Sequence, residues 1–182
     1  STPLYSSAAS DVYKRQFQGS KNHKFLIDVM RLLNLESSGK YTLLLAGEGP
    51  LKEEIMEYAK GLPVYFLGSI DDVPEKMMAA DIFLQPSLNE GLPTVVLEAQ
   101  ASGLPCYISN QITKEAGITD LVKYLPLQED IWVKEIEKKA LSGTCQNERL
   151  IYGKIVEKTN SIEQTKAAIL TLYLEDTLCK KE

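Results

Sequence analysis

The chain has 182 residues, of which 44% are hydrophobic and 25% charged. This composition is close to the globular average, and the length fits one domain with a substantial buried core. The 20 basic residues are outnumbered by 25 acidic ones, which gives a net charge of −5. The sequence shows no basic face, so we expect no nucleic-acid partner. Its longest apolar runs are far shorter than the roughly 20 residues that span a bilayer.

The first 16 residues, STPLYSSAASDVYKRQ, show no sustained periodicity. The string SSAASDVYKRQ resembles translated adaptor sequence at the ends of assembled sequencing fragments. We therefore expect residues 1–16 to be a leader that is foreign to the protein, and we leave them out of the predicted fold.

From residue 17 onward, short apolar strands alternate with helices. Helical spacing of apolar residues predicts helices over 23–35, 51–60, 74–80 and 94–102, and compact apolar runs predict strands over 41–47, 64–67, 82–84, 106–109 and 122–125. Gly103 is expected to end the fourth helix. This alternation predicts an α/β fold, a Rossmann-like parallel sheet with helices on both faces. Further helices are predicted over 131–141, 148–158 and 161–178, so that a domain over 17–142 precedes a helical C-terminal tail over 143–182.

The three cysteines, Cys106, Cys145 and Cys179, are widely spaced and form no C-x-x-C pair. This spacing argues against a zinc knuckle and against a disulfide framework. It favours reduced thiols in a cytosolic protein, with Cys106 as a buried strand residue.

The segment QPSLNEGLPTVVLEAQASGLPC, over 85–106, has the clearest chemistry. Its loop follows a predicted strand and so lies at the carboxyl edge of the sheet, where open α/β folds bind ligands. The N–H groups at the helix start near Thr94 favour phosphate, and Gly91 lets the backbone approach it. Glu90 and Glu98 can accept hydrogen bonds from hydroxyls. The segment therefore predicts sugar hydroxyls on both sides of a bound diphosphate.

The E-x7-E spacing of Glu90 and Glu98 resembles the signature of retaining glycosyltransferases of the GT-B fold, family 4. Four segments match that family in order: FQGSKNHKFLIDVMRLL, YTLLLAGEGPLKEEI, VYFLGSIDDVPEKMMAADIFLQPS and ISNQITKEAGITDLVKYLPL. The resemblance covers 17–140 well and the tail loosely, and it is strongest to bacterial exopolysaccharide or capsule enzymes. It implies the C-terminal donor-binding half of an enzyme that moves a sugar from a nucleotide sugar to an acceptor hydroxyl.

The resemblance implies a role for each matching residue. Lys21 and Glu90 would be catalytic, because the family's lysine stabilises the departing nucleotide and its first glutamate holds the donor sugar. Glu98 would bind the ribose. The other implied donor contacts are Gly91, Leu92, Pro93 and Thr94 for diphosphate and sugar, and Ser69, Ile70 and Asp71 for the nucleobase. Simpler interpretations stay open, with Lys21 as a surface lysine, Glu98 as a solvated charge and Asp71 as a helix cap.

One departure from the family concerns the opening loop, which carries Gly-Arg before the aromatic residue that is Phe17 here. Arg15 and Gln16 stand at those positions, and Arg15 is one position off, so we do not expect it to substitute. No D-x-D motif occurs, and we expect neither a metal nor a cofactor besides the nucleotide-sugar donor, since a lysine and a helix dipole neutralise charge.

The family's acceptor domain precedes the donor domain, and nothing before Phe17 resembles it. We therefore expect this chain to bind donor weakly or not at all and to show no turnover alone. The implied location is the cytoplasm, with peripheral membrane association of the full enzyme left open. The alternative is a non-catalytic nucleotide-binding module, or a subunit that pairs with a separate acceptor domain.

Overall fold

The computed structural model describes residues 2–7, 17–36, 39–70, 73–142, 152, 153 and 156. Six parallel strands form one sheet: β1 (Thr2–Ser7), β2 (Tyr41–Ala46), β3 (Val64–Gly68), β4 (Ile82–Gln85), β5 (Cys106–Ser109) and β6 (Val122–Leu125). The helices are α1 (His23–Glu36), α2 (Lys52–Tyr58), α3 (Val73–Ala79), α4 (Thr94–Ala101) and α5 (Glu129–Ser142), with 3-10 turns at Gly19–Lys21 and Lys114–Ala116. The predicted α/β fold with a parallel sheet is confirmed.

The predicted start of the fold at residue 17 is wrong, because Thr2–Ser7 is a central strand. β1 pairs with β2 along its whole length and with β4 at Leu4 and Tyr5, and Leu4 is fully buried in the core. The segment TPLYSS escaped detection because a proline and serines flank its two large apolar residues, and proline in a run argues against a central strand. The foreign origin of residues 1–16 stays a prediction.

Apolar side chains cover both faces of the sheet. On one face, α1 and α5 form a core around Trp132, whose indole N–H donates to the Pro126 carbonyl at 2.8 Å and whose ring packs edge-on against Phe25. On the other face, α3 and α4 pack around Phe83 and Cys106. Burial raises the pKa of the Cys106 thiol, which fits the predicted buried strand residue. The sheet therefore gives the loops at its carboxyl edge a rigid base.

The strand order is β3-β2-β1-β4-β5-β6. The chain moves outward from β1 through β2 to β3, then crosses to the other side of β1 and moves outward again from β4 to β6. The strands that follow β1 and β4 lie in opposite halves of the sheet, which places a crevice at the carboxyl edge between β1 and β4. Such a topological switch point is where open α/β sheets bind ligands.

The predicted tail helix over 161–178 lies outside the described residues, as do Cys145 and Cys179. The one predicted over 148–158 is described only at residues 152, 153 and 156, which are helical. In the rest of the described ranges, the predicted helices and strands agree with the structure to within two residues at each end.

Candidate functional site

The two predicted catalytic side chains meet at the switch point. Lys21 follows β1, Glu90 follows β4, and the ammonium group of Lys21 donates to Oε1 of Glu90. A second link joins the same loops, since the Leu88 N–H donates to the Ser20 carbonyl at 2.8 Å. The Lys21 and Glu90 side chains are 26% and 11% exposed. Both are thus held largely inside the crevice, with part of their surface open to a ligand.

The turn that carries Lys21 is anchored at both of its ends. Phe17 exchanges two backbone hydrogen bonds with the loop 48–51, at 3.0 and 3.2 Å. Asn22 closes the turn by donating its N–H to the Gly19 carbonyl at 3.2 Å, with φ at 55°. Asparagine tolerates this left-handed conformation better than most residues do. These anchors fix the backbone from which Lys21 reaches Glu90.

His23 packs against Phe17, at the start of the segment that carries Lys21. Its ring is 5% exposed and stacks on Phe17 with centroids 4.5 Å apart. Burial, and secondly the charge of Lys21, lower the pKa of His23 to about 4. The imidazole is therefore neutral at pH 7 and acts here as a packing group.

Helix α4 begins directly after the Glu90 loop. Pro93 occupies its N-cap and has no side-chain acceptor. The N–H of Val96 donates to the Pro93 carbonyl at 3.0 Å, which leaves the N–H groups of Thr94 and Val95 for an anion. Thr94 and Glu98 lie one turn apart on one face, and both side chains are exposed. Between Glu90 and the helix, Gly91 and Leu92 are exposed and Pro93 is buried.

The predicted nucleobase contacts lie farther from the ion pair. Ser69 is exposed, and Ile70 is partly buried against the core around α4. Both follow β3, which β2 separates from β1, so they share the carboxyl edge of the sheet with Lys21 but lie two strands away. Asp71 and Arg15 lie outside the described residues.

Two polar residues beneath Glu90 were not predicted from the sequence. Ser87 is fully buried, and its hydroxyl donates to Oε1 of Glu90 at 2.7 Å. Gln85, at the end of β4, is 4% exposed, and its amide nitrogen lies 3.5 Å from the Ser87 hydroxyl oxygen. In the sequence, Gln85 and Ser87 stand out only as polar residues at the end of an apolar strand, and that position does not by itself indicate that they are buried.

Gln100 on α4 was also not predicted. Its side chain is fully buried and joins α4 to the connection between β5 and β6. The amide donates to the Ala116 carbonyl at 2.8 Å, and the side-chain oxygen accepts from the N–H groups of Ile118 and Thr119 at 3.1 and 3.0 Å. The C-terminal end of α4 is therefore tied through Gln100 to the connection between β5 and β6.

A cavity of about 290 Å³ lies between the segment 18–24 and α2. Lys21 and Glu90 are not among its lining residues. Within the described ranges, no group of three or more His, Cys, Asp or Glu side chains could hold a metal ion. No helix in those ranges has the length and hydrophobicity that a membrane span requires.

Known proteins similar to this chain are glycosyltransferases. The family model described as "Glycosyl transferases group 1" matches residues 13–141. The chain is 40% identical over 166 residues to putative glycosyltransferase EpsF of Bacillus subtilis (strain 168). The aligned region covers 87% of the chain and 42% of EpsF. It is 39% identical over 74 residues to the Escherichia coli UDP-Gal:alpha-D-GlcNAc-diphosphoundecaprenol alpha-1,3-galactosyltransferase, covering 37% of the chain and 19% of that enzyme. The chain thus spans less than half the length of these relatives.

The fold is similar to that of the catalytic domain of cholesterol-alpha-glucosyltransferase from Helicobacter pylori. The TM-score is 0.66 at 18% identity, over 87% of this chain and 99% of that one. At this identity the likeness shows the fold alone. The family match covers well over half of the chain, and the parallel sheet agrees with it. The chain therefore belongs to the group 1 glycosyltransferase family and has the fold of a GT-B C-terminal domain.

Proposed function

We propose that this chain binds the nucleotide-sugar donor of a retaining glycosyltransferase at the switch point between β1 and β4. The observation that carries the proposal is the meeting of Lys21 and Glu90 beside the start of α4. An ammonium group and free N–H groups suit a diphosphate, and a carboxylate suits sugar hydroxyls. These groups come together in one crevice, as a nucleotide sugar requires.

Charge attraction at this site is local. The chain has a net charge of −5, so a diphosphate gains nothing from the overall charge. Lys21 supplies one positive charge, which its ion pair with Glu90 partly offsets, and the N-terminus of α4 adds the equivalent of about half an elementary charge. Because the crevice is partly buried, these charges act through a lower effective dielectric than in bulk water. A broad basic surface is not required.

The proposed reaction breaks the bond between the anomeric carbon and the diphosphate oxygen. The electron pair leaves with the diphosphate, the acceptor hydroxyl oxygen bonds to the anomeric carbon on the same face, and the leaving diphosphate takes the hydroxyl proton. Lys21 and the start of α4 stabilise the charge that grows on the leaving group. Glu90 holds sugar hydroxyls, and we expect no metal to take part.

The remaining proposed contacts are those that the family resemblance implies. Glu98 lies one turn into α4 and would accept from the ribose hydroxyls. Ser69 and Ile70 would contact the nucleobase, and Asp71 would do so with them. The backbone that faces diphosphate and sugar would be that of Gly91, Leu92, Pro93 and Thr94.

The acceptor would bind to a separate domain of a longer enzyme that builds a surface polysaccharide in the cytoplasm, at the inner face of the membrane. The similarity to EpsF over 87% of the chain supports a role of this kind. The name of the Escherichia coli relative specifies UDP-Gal and an acceptor on diphosphoundecaprenol, which makes UDP-galactose the first donor to test and supports a lipid-linked acceptor.

The test is ligand-dependent thermal unfolding, followed by the fluorescence of Trp132. This side chain is fully buried, so it reports unfolding of the core. A nucleotide with a Kd of about 0.5 mM, present at about 5 mM, should stabilise the fold by about 1.4 kcal/mol. For a chain of this size, that raises Tm by about 3–6 °C. The ligands are UDP, UDP-galactose, GDP and GDP-mannose.

A pair of lysine variants provides the control. Lys21→Met should abolish the nucleotide-dependent rise in Tm. Lys24→Met removes a lysine three residues further along, whose half-exposed side chain pairs with Glu54, and should keep the rise. If none of the four nucleotides raises the Tm of the wild-type chain, the proposed donor site is refuted.

A further inference from the structure

The buried hydroxyl of Ser87 determines which oxygen of Glu90 is offered to a ligand. We propose that Ser87, supported by Gln85, is a positioning residue that holds Oε1 of Glu90 so that Oε2 can accept from a hydroxyl of the donor sugar. This inference rests on the proposed function, because it requires a sugar bound at Glu90.

Hydrogen-bond chemistry sets the direction of this chain of contacts. A carboxylate only accepts, so the Ser87 hydroxyl donates its single proton to Oε1 of Glu90. The hydroxyl oxygen keeps its capacity to accept and faces the amide nitrogen of Gln85, which only donates. Lys21 donates to the same carboxylate oxygen. Both contacts that the described residues make to the Glu90 carboxylate thus fall on Oε1, and Oε2 is the oxygen left for a ligand.

Burial makes the arrangement persistent. Ser87 is fully buried and Gln85 is 4% exposed, so solvent competes little for their hydrogen bonds. β4, which ends at Gln85, pairs with a strand on each side, and Glu90 itself forms a bridge to Ile112. A carboxylate held from below in this way needs little rearrangement when a sugar arrives.

Gln85 is energetically unfavourable at its buried position, which supports a role for it at the site. Its side-chain oxygen is buried and has no hydrogen-bond partner among the described residues. A buried polar atom without a partner is unfavourable, and an apolar side chain would avoid it. The amide nitrogen of Gln85 is the part that contacts the site, since it faces the Ser87 hydroxyl.

The test compares UDP with UDP-galactose, and GDP with GDP-mannose, by calorimetric titration of the full chain. The measured quantity is the Kd of the nucleotide divided by the Kd of the nucleotide sugar. Ser87→Ala should lower this ratio about tenfold. Without the Ser87 hydroxyl the Glu90 carboxylate is no longer held in place, which weakens the hydrogen bond from the sugar to this charged group but no contact of the nucleotide alone. Affinity for the nucleotide alone should change by less than about twofold.

Ser109→Ala is the matched control. Ser109 is also a fully buried serine at the carboxyl end of a strand, but its hydroxyl oxygen accepts from the N–H of Gln111. In Ser109→Ala, the ratio of the nucleotide Kd to the nucleotide-sugar Kd should stay within about twofold of the wild-type ratio. Gln85→Leu should lower the ratio about threefold, because it loosens Ser87 without removing its hydroxyl, and it serves as the test if Ser87→Ala does not fold.

The outcomes separate this inference from the proposed function. An unchanged ratio in Ser87→Ala and Gln85→Leu overturns the positioning role and leaves donor binding intact. An equal loss of affinity for nucleotide and nucleotide sugar also overturns it, because that result marks a general effect on the fold. A wild-type chain that binds neither nucleotide pair overturns both.

Discussion

Replacing Gln100 by alanine should destabilise the protein strongly, because this side chain ties α4 to the connection between β5 and β6. Its amide donates to the carbonyls of Val96 and Ala116, at 3.0 and 2.8 Å. Its oxygen accepts from the N–H groups of Ile118 and Thr119 and from the Thr119 hydroxyl, at 3.1, 3.0 and 2.9 Å. All five hydrogen bonds are lost together in Gln100→Ala.

The expected loss follows from the groups left without a partner. The Ala116 carbonyl and the N–H groups of Ile118 and Thr119 lie in buried or partly buried surroundings. Each buried polar group that loses its partner costs about 1–3 kcal/mol. Partial access of water to Ile118 and Thr119 keeps their share near the lower limit. Together with the small cavity left by the side chain, we expect the free energy of unfolding to fall by about 4 kcal/mol.

The assay is urea unfolding followed by Trp132 fluorescence, which reports from the core on the opposite face of the sheet. Gln111→Ala is the control, since among the described residues that exposed side chain hydrogen-bonds only to the Asn110 side chain, at 3.2 Å, and its loss should change stability by less than about 0.5 kcal/mol. A loss below about 1 kcal/mol in Gln100→Ala would refute the reasoning. It would mean that α4 is held in place by apolar packing alone.

Two further variants test the support beneath Lys21. In Gly49→Ala, the added Cβ would lie 2.4 Å from the backbone nitrogen of Phe17, so we expect urea unfolding to show a loss of about 2 kcal/mol. In Gly19→Ala, the Cβ meets nothing within 4 Å, and stability should hold; equal losses in both variants would exclude the steric explanation. His23 has its pKa lowered from 6.5 to about 4, so the unfolded chain binds a proton at higher pH than the folded chain. The free energy of unfolding should therefore fall by about 3 kcal/mol as pH drops from 6.5 to 4. His23→Phe should remove that part of the slope, and an unchanged pH profile in this variant would contradict the assignment.

The fold class was predictable because its signals are local. The run YTLLLA, over 41–46, is apolar except for Thr42 and becomes β2. Gly103 ends α4 as predicted: it has φ at 64°, and the N–H groups of Gly103 and Leu104 donate back to the carbonyls of Gln100 and Ala99. This is the glycine-terminated helix end that the sequence indicates. Signals of this kind depend on residues within one or two turns of each other.

The supports of the site could not be predicted, because their partners are distant in sequence. Gln100 bonds to residues up to 19 positions away, and Lys21 lies 69 positions from Glu90. A glutamine on a helix or a serine in a loop is usually exposed, and only the tertiary fold shows that Gln100 and Ser87 are buried. The motif comparison identified Lys21 and Glu90 as separate residues, whereas the structure adds that they contact each other.

The central strand shows why the site does not depend on a recognisable sequence at β1. Parallel strands are joined by backbone hydrogen bonds, which most side chains allow, and β1 pairs along its whole length with β2. The position of Lys21 is set after the strand ends, by the backbone bonds of Phe17 and by the bond from Leu88 to Ser20. A strand must therefore lie between β2 and β4 to create the switch point, but the contacts that bring Lys21 to Glu90 lie in the loops. The electrostatics also depend on those loops, since they place one lysine beside one helix start in an acidic chain.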